Sequence, residues 1–228
     1  PSPLMDNFHH FNPSKRPTAA KLLKVLLKEY PFMLNSIIWK VKWWKLSISG
    51  LGQMEHYSNR NDVPWTNEKD QVHSVVVKNG VTSISDYAFA DFRSLKSATI
   101  PESILTIGSC AFHSCCKLKS FAIPDYVTSI GKHSFEGCSA LKTVKFPNSV
   151  TSIGEYAFES CSSLGSVKLP DNLTSIGLGA FQKCVRLVSV VIPTGIQMIT
   201  ERAFNECEKL ETVIIPESVV SIGGYAFA

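Results

Sequence analysis

Apolar residues along this chain return at fixed intervals. A phenylalanine stands at Phe89, Phe112, Phe135, Phe158, Phe181, Phe204 and Phe227, each 23 residues after the last. Ile84, Ile107, Ile130, Ile153, Ile176, Ile199 and Ile222 keep the same step. So do Leu95, Leu118, Leu141, Leu164, Leu187 and Leu210, and a proline column that starts at Pro101. A short fixed period predicts a solenoid, in which one repeat is one coil and only stacked coils bury a shared core. Within a coil, Val144 and Phe146 alternate with Thr143 and Lys145. That is the period of a short strand with one buried face, and Pro147 ends it. The five residues Val150 to Gly154 then read as a corner, with Val150 and Ile153 inward and Gly154 permitting a tight bend. Ala157, Phe158, Cys161 and Leu164 follow at three- to four-residue spacing, which predicts a short helix or helical turn. Stacked strands predict a parallel sheet at about 4.8 Å per coil.

The combined line L-x-x-V-x-I-P-x-S-V-T-S-I-G-x-x-A-F-x-x-C resembles the leucine-rich repeats, and within them the 23-residue BspA-like type, over about residues 72–228. The fold class expected is an α/β repeat: a leucine-rich-repeat solenoid with short parallel strands and short helical turns, preceded by an amphipathic helix. The resemblance implies a non-catalytic protein-binding or adhesion scaffold that needs no cofactor. Many relatives are surface proteins that adhere to host cells, matrix proteins or other microbes. The expected organisation is a basic helical leader over 1–42, an N-terminal capping segment over 43–71, and about seven coils over 72–228. The chain opens on Pro1 and closes inside a coil, which reads as a fragment of something longer.

In the leader, Ala19, Leu22, Leu23, Leu26 and Tyr30 fall on one helical face and the lysines on the other. Its stretch FNPSKRPTAAKLL is similar to the last helical segment of protein kinase domains, D-P-x-x-R-P-T-x-x-x-L-L, with Asn12 in place of the aspartate. That likeness implies an alternative role as the interaction or regulatory arm of a larger kinase. The chain itself carries no H-R-D loop, D-F-G motif or glycine-rich phosphate loop.

Composition changes the picture little. Apolar residues make up 44% and charged residues 18%, enough to bury a sizeable core. Of the net charge of +4, residues 1–50 supply +6 (eight Lys and Arg against Asp6 and Glu29), so the remainder carries −2. The repeats are therefore not a basic nucleic-acid surface. No apolar run reaches eighteen residues, and PFMLNSIIWKV is broken by Asn35 and Ser36.

Candidate chemistry is repetitive, whereas a catalytic residue should be singular. Cys115, Cys138, Cys161, Cys184 and Cys207 lie one per coil, which offers no tetrahedral convergence for zinc. His113 and His133 occupy variable positions and read as solvated. Ser129, Ser152 and Ser175 read as corner hydroxyls. On the strand, the outward column Ser97, Ser120, Thr143, Ser166, Ser189, Thr212 is uniform and reads as an inter-strand hydroxyl ladder. The next outward column, Thr99, Ala122, Lys145, Lys168, Val191, Ile214, varies, so specificity can be written there. With Lys119 and Lys142 at the strand entry, the candidate partner-binding residues are Lys119, Lys142, Lys145, Lys168, Val191 and Ile214. They suit a protein with an acidic surface or a host or matrix protein.

Overall fold

The computed structural model describes residues 37–228. The leader helix expected over 12–30, and the kinase-like stretch within it, lie outside the described residues. The leader was expected to run to residue 42, but Ile38–Lys42 form a strand, β1. It pairs antiparallel with β2 (Lys45–Ser49). Next come β3 (Ser74–Val77) and β5 (Ser97–Thr99), both parallel, completing a four-stranded sheet.

The same face continues in pairs: β7 (Ser120–Ala122) with β9 (Thr143–Lys145), then β12 (Ser189–Val191) with β14 (Thr212–Ile214). Partners are always 23 residues apart, as Phe121↔Val144 and Val190↔Val213. Ser166–Lys168 is not a regular strand. Gly165 stands at its entry, where a missing side chain weakens a strand.

The V-T-S-I-G segment is more than a corner. It builds a second parallel sheet from β4 (Ser83–Ile84), β6 (Thr106–Ile107), β8 (Ser129–Ile130), β10 (Ser152–Ile153) and β11 (Ser175–Ile176). Each isoleucine is buried. The two-residue alternation that turns Ile153 inward turns Ser152 the other way, so these serines recur as the outer half of a strand. Gly154 is needed for close approach and not for a bend. A Cβ there would sit 2.8 Å from the Gly131 carbonyl carbon and the Lys132 amide nitrogen of the preceding coil. Gly177 would meet the Glu155 amide at 2.4 Å. Thr200 takes the glycine's place one coil later. There its hydroxyl donates to Ile176 O at 3.0 Å, the carbonyl position that the Gly154 amide meets on Ile130. The sheet breaks at that coil, and β13 (Met198–Ile199) pairs instead with β15 (Ser221–Ile222).

The helical expectation gives way to a third ladder. Apart from a 3-10 turn at Thr66–Glu68, the described residues contain no helix. In the Ala157–Phe158 segment the amides of Tyr156, Phe158 and Ser160 donate to Leu178, Ala180 and Gln182 of the next coil, each at 2.8 Å. The intervening amides close local turns, as Glu159 to Tyr156 O at 3.1 Å. Two residues per coil, four apart, are left-handed: Tyr156 (φ 53°) and Ser160 (φ 57°), repeated as His133 and Gly137 or Arg202 and Glu206. Left-handed residues at that spacing stop a right-handed helix. Apolar residues three and four apart still face inward, because each tight turn carries the chain around the core.

That core is a stack. Phe112, Phe135, Phe158, Phe181 and Phe204 lie nearly parallel, with ring centroids 5.2–5.4 Å apart and interplanar angles of 2–7°. At the N-terminal end the stack continues into Trp65, whose ring is 6.1 Å from Phe89. Trp65 Nε1 donates to Ala88 O at 2.7 Å, and Arg60 pairs with Asp91 at 2.5 Å.

Candidate partner-binding face

The six candidate residues all lie exposed on the first strand face. The Lys142 amide donates to Lys119 O at 2.9 Å, so the two lysines enter adjacent strands side by side. Lys145 is opposite Ala122, and Lys168 stands one coil further. The basic entry column stops at Gly165, which takes the place of Lys96, Lys119 and Lys142. Val191 and Ile214 are paired in register, and at 57% and 55% exposure they form an apolar step beside the lysines. None of the four lysines takes part in the ion pairs of the described residues, unlike Lys132, which holds Glu155 at 2.9 Å. The face therefore offers unneutralised positive charge next to apolar surface.

The hydroxyl ladder differs from its expectation. Ser120 and Thr143 are paired in register but remain exposed. Inter-coil hydroxyl bonds come from other columns. Ser149 donates to Val127 O at 2.7 Å and Thr174 to Thr151 O at 3.0 Å. Asn172, in the sequon Asn172-Leu173-Thr174, donates its amide to Asn148 O at 2.9 Å.

The histidines are not simply solvated. His133 Nδ1 is 2.6 Å from Glu136, His113 Nε2 is 3.8 Å from the same carboxylate, and the His133 ring stacks on Tyr156 at 5.1 Å. The described residues bring together no group of three His, Cys, Asp or Glu able to hold a metal.

All seven cysteines are free thiols, and the five in register are buried. Each donates to a phenylalanine carbonyl of the preceding coil, as Cys138 to Phe112 O at 3.2 Å and Cys161 to Phe135 O at 3.3 Å. The thiol thus fills an apolar slot and satisfies a buried acceptor. Burial pushes Cys115, Cys161 and Cys184 well above the ordinary thiol range and Cys207 up to about 12. At pH 8, a thiol reagent should label only Cys110 and Cys116 in the native chain and all seven in urea. A raised folded value means stability that is complete below the ordinary 9.0 and is lost as pH climbs toward 12. The melting temperature should fall across that window.

The sequence model of the BspA type leucine rich repeat region matches residues 67–184 and 105–228, with six copies. The chain belongs to this family. Among solved structures, it is similar to a leucine-rich repeat protein of T. pallidum, with a TM-score of 0.65 and 29% identity over 82% of this chain and 83% of that one. It is also similar to a leucine-rich repeat protein of Bacteroides ovatus, with a TM-score of 0.57 and 26% identity over 85% of this chain. The chain spans 55% of that protein. A comparison with curated proteins gives no match. The family and fold are those of a repeat scaffold of the kind that binds proteins, and no helix among the described residues is long and apolar enough to cross a membrane.

Proposed function

We propose that this BspA-type solenoid is a non-catalytic adhesion scaffold that captures an acidic protein, of host or matrix origin, on its outward strand face. The observation that carries the reading is the contiguous exposure of Lys119, Lys142, Lys145 and Lys168 beside Val191 and Ile214. Charge on such a face steers encounter, and the apolar step gives a partner side chain something to bury. Stacking is carried by other columns: Phe, Ile, Leu and Cys inward, Gly against the backbone, Ser149 and Thr174 between coils. In this reading the β1–β2 hairpin and the segment up to residue 71 close the N-terminal end of the solenoid over 72–228.

The test is binding of the full chain to immobilised matrix proteins and to a glutamate-rich peptide, beside a variant with Lys119, Lys142, Lys145 and Lys168 all changed to Ser. Loss of two or three well-placed charges costs on the order of tenfold or more in affinity, while exposed substitutions leave melting nearly unchanged. Unaltered binding by the variant would remove the lysines from the site.

A further inference from the structure

The solenoid carries a second exposed feature, at the turn of its first hairpin. Strands β1 and β2 pair with Lys42 opposite Lys45, so their turn is the two residues Trp43 and Trp44. Both have positive φ, 53° and 59°. Two-residue turns of that hand favour Asn-Gly, because a side chain larger than Asn strains the left-handed backbone. Here two of the largest side chains occupy both positions, 78% and 57% exposed. Trp44 is partly held within the fold, its ring stacked on His73 at 6.0 Å and its carbonyl accepting from the His73 amide at 2.7 Å, and Trp43 is the more exposed of the two. Behind them Trp39 and Val41 share the face that Leu46 and Ile48 bury in the core. Strand alternation puts Lys40, Lys42 and Lys45 together on the opposite face. Lys42 and Lys45 are directly opposed, an arrangement that destabilises a strand pair. Residues 37–50 hold these three lysines and no acid. Glu68, which lines the cleft beside the tip, accepts a hydrogen bond from Gln71.

A structural role explains part of this. Among the described residues β1 is the edge of its sheet, and edge lysines discourage pairing with another chain. That accounts for Lys40 and Lys42. It does not account for the exposed indoles at the tip, nor for like charges set face to face. A partner that accepts indole and supplies negative charge buries the first and neutralises the second.

We propose that the β1–β2 hairpin is a tip that docks on an anionic lipid surface. Indole rings favour the membrane–water interface, where an apolar body and a polar N–H are both accommodated. Lysines beside them meet anionic headgroups, each strengthening binding about fivefold. A convex two-residue tip suits a deformable headgroup layer better than the flat, packed centre of a protein interface. The residues are separate from the lysines of the strand face, so this proposal stands or falls apart from the adhesion reading.

The experiment is flotation of the full chain with phosphatidylcholine vesicles, with and without phosphatidylserine, beside W43N/W44G and K40S/K42S/K45S. The wild-type chain is expected to float only with phosphatidylserine, with a blue shift in tryptophan emission. W43N/W44G should lose at least about tenfold in binding and melt at the same or a higher temperature, since it installs the preferred turn. The triple lysine variant should lose about a hundredfold. A wild-type chain that ignores phosphatidylserine vesicles overturns the proposal, as does W43N/W44G that floats like wild type. A fall in melting temperature for W43N/W44G would make the indoles part of the fold and overturn it too. Binding to an anionic polysaccharide or matrix protein that needs the two tryptophans, with vesicles ignored, would assign the tip to that partner instead.

Discussion

Phe158→Ala should lower the free energy of unfolding by about 3–5 kcal/mol. Phe158 is fully buried between Phe135, 5.2 Å away at 2°, and Phe181, 5.3 Å away at 7°, with Phe146 edge-on at 5.6 Å. Removing the ring takes away its transfer free energy and leaves a void that neighbouring coils cannot close, because their spacing is held by three backbone ladders. For a domain of this size the loss corresponds to a drop of roughly 6–20 °C in melting temperature. Phe146→Ala is the matched control. Phe146 is half-buried and meets the stack only edge-on at Phe158, at 5.6 Å and 73°, so its loss should be well under half as large. Urea titrations of both variants check this. Equal losses would mean that the ring column is not one continuous core.

Ile153→Asp should cost on the order of 3–5 kcal/mol at neutral pH. Ile153 is 1% exposed in β10, between Ile130 and Ile176. A carboxylate there has no partner, so burial would raise its folded value above the unfolded one. The sign follows: protonation favours the folded form, and the deficit grows as pH rises above about 4 and shrinks below it. Melting curves at neutral and acidic pH should therefore converge toward wild type only on the acidic side. Near-wild-type melting at pH 7 would contradict the inward placement of the isoleucine column.

The inward columns were legible because burial repeats with the coil. The Phe158, Ile153, Leu164 and Val144 columns are buried through most of their copies, although Phe227 and Ile222 are exposed and Ala98, Leu210 and Val213 only partly buried. Backbone conformation was not legible, because it leaves no apolar signal. The left-handed column reads Tyr87, Cys110, His133, Tyr156, Gly179, Arg202, Tyr225, which shares nothing but the absence of β-branched residues. The A-F-x-x-C spacing was therefore open to a helical reading. Gly154 was assigned to a bend for a similar reason: close approach to another coil's backbone and a positive φ both call for glycine. Trp65 escaped the pattern because it lies 24 residues before Phe89 and is a different residue type. Its signal was a single tryptophan ahead of a phenylalanine column. For the binding face, exposure of Lys145, Lys168, Val191 and Ile214 followed from strand alternation. That the hydroxyl column beside them makes no inter-coil bonds among the described residues did not.

The most direct test of the account is a lysine footprint. The chain is acylated with an amine reagent, alone and bound to whichever matrix protein retains it, and each lysine is read by mass spectrometry. Lys119, Lys142, Lys145 and Lys168 should be protected in the complex while Lys132 and Lys183 react unchanged. Protection of Lys132 and Lys183, with the strand-face lysines still reactive, would place the partner on the turn ladder and contradict it.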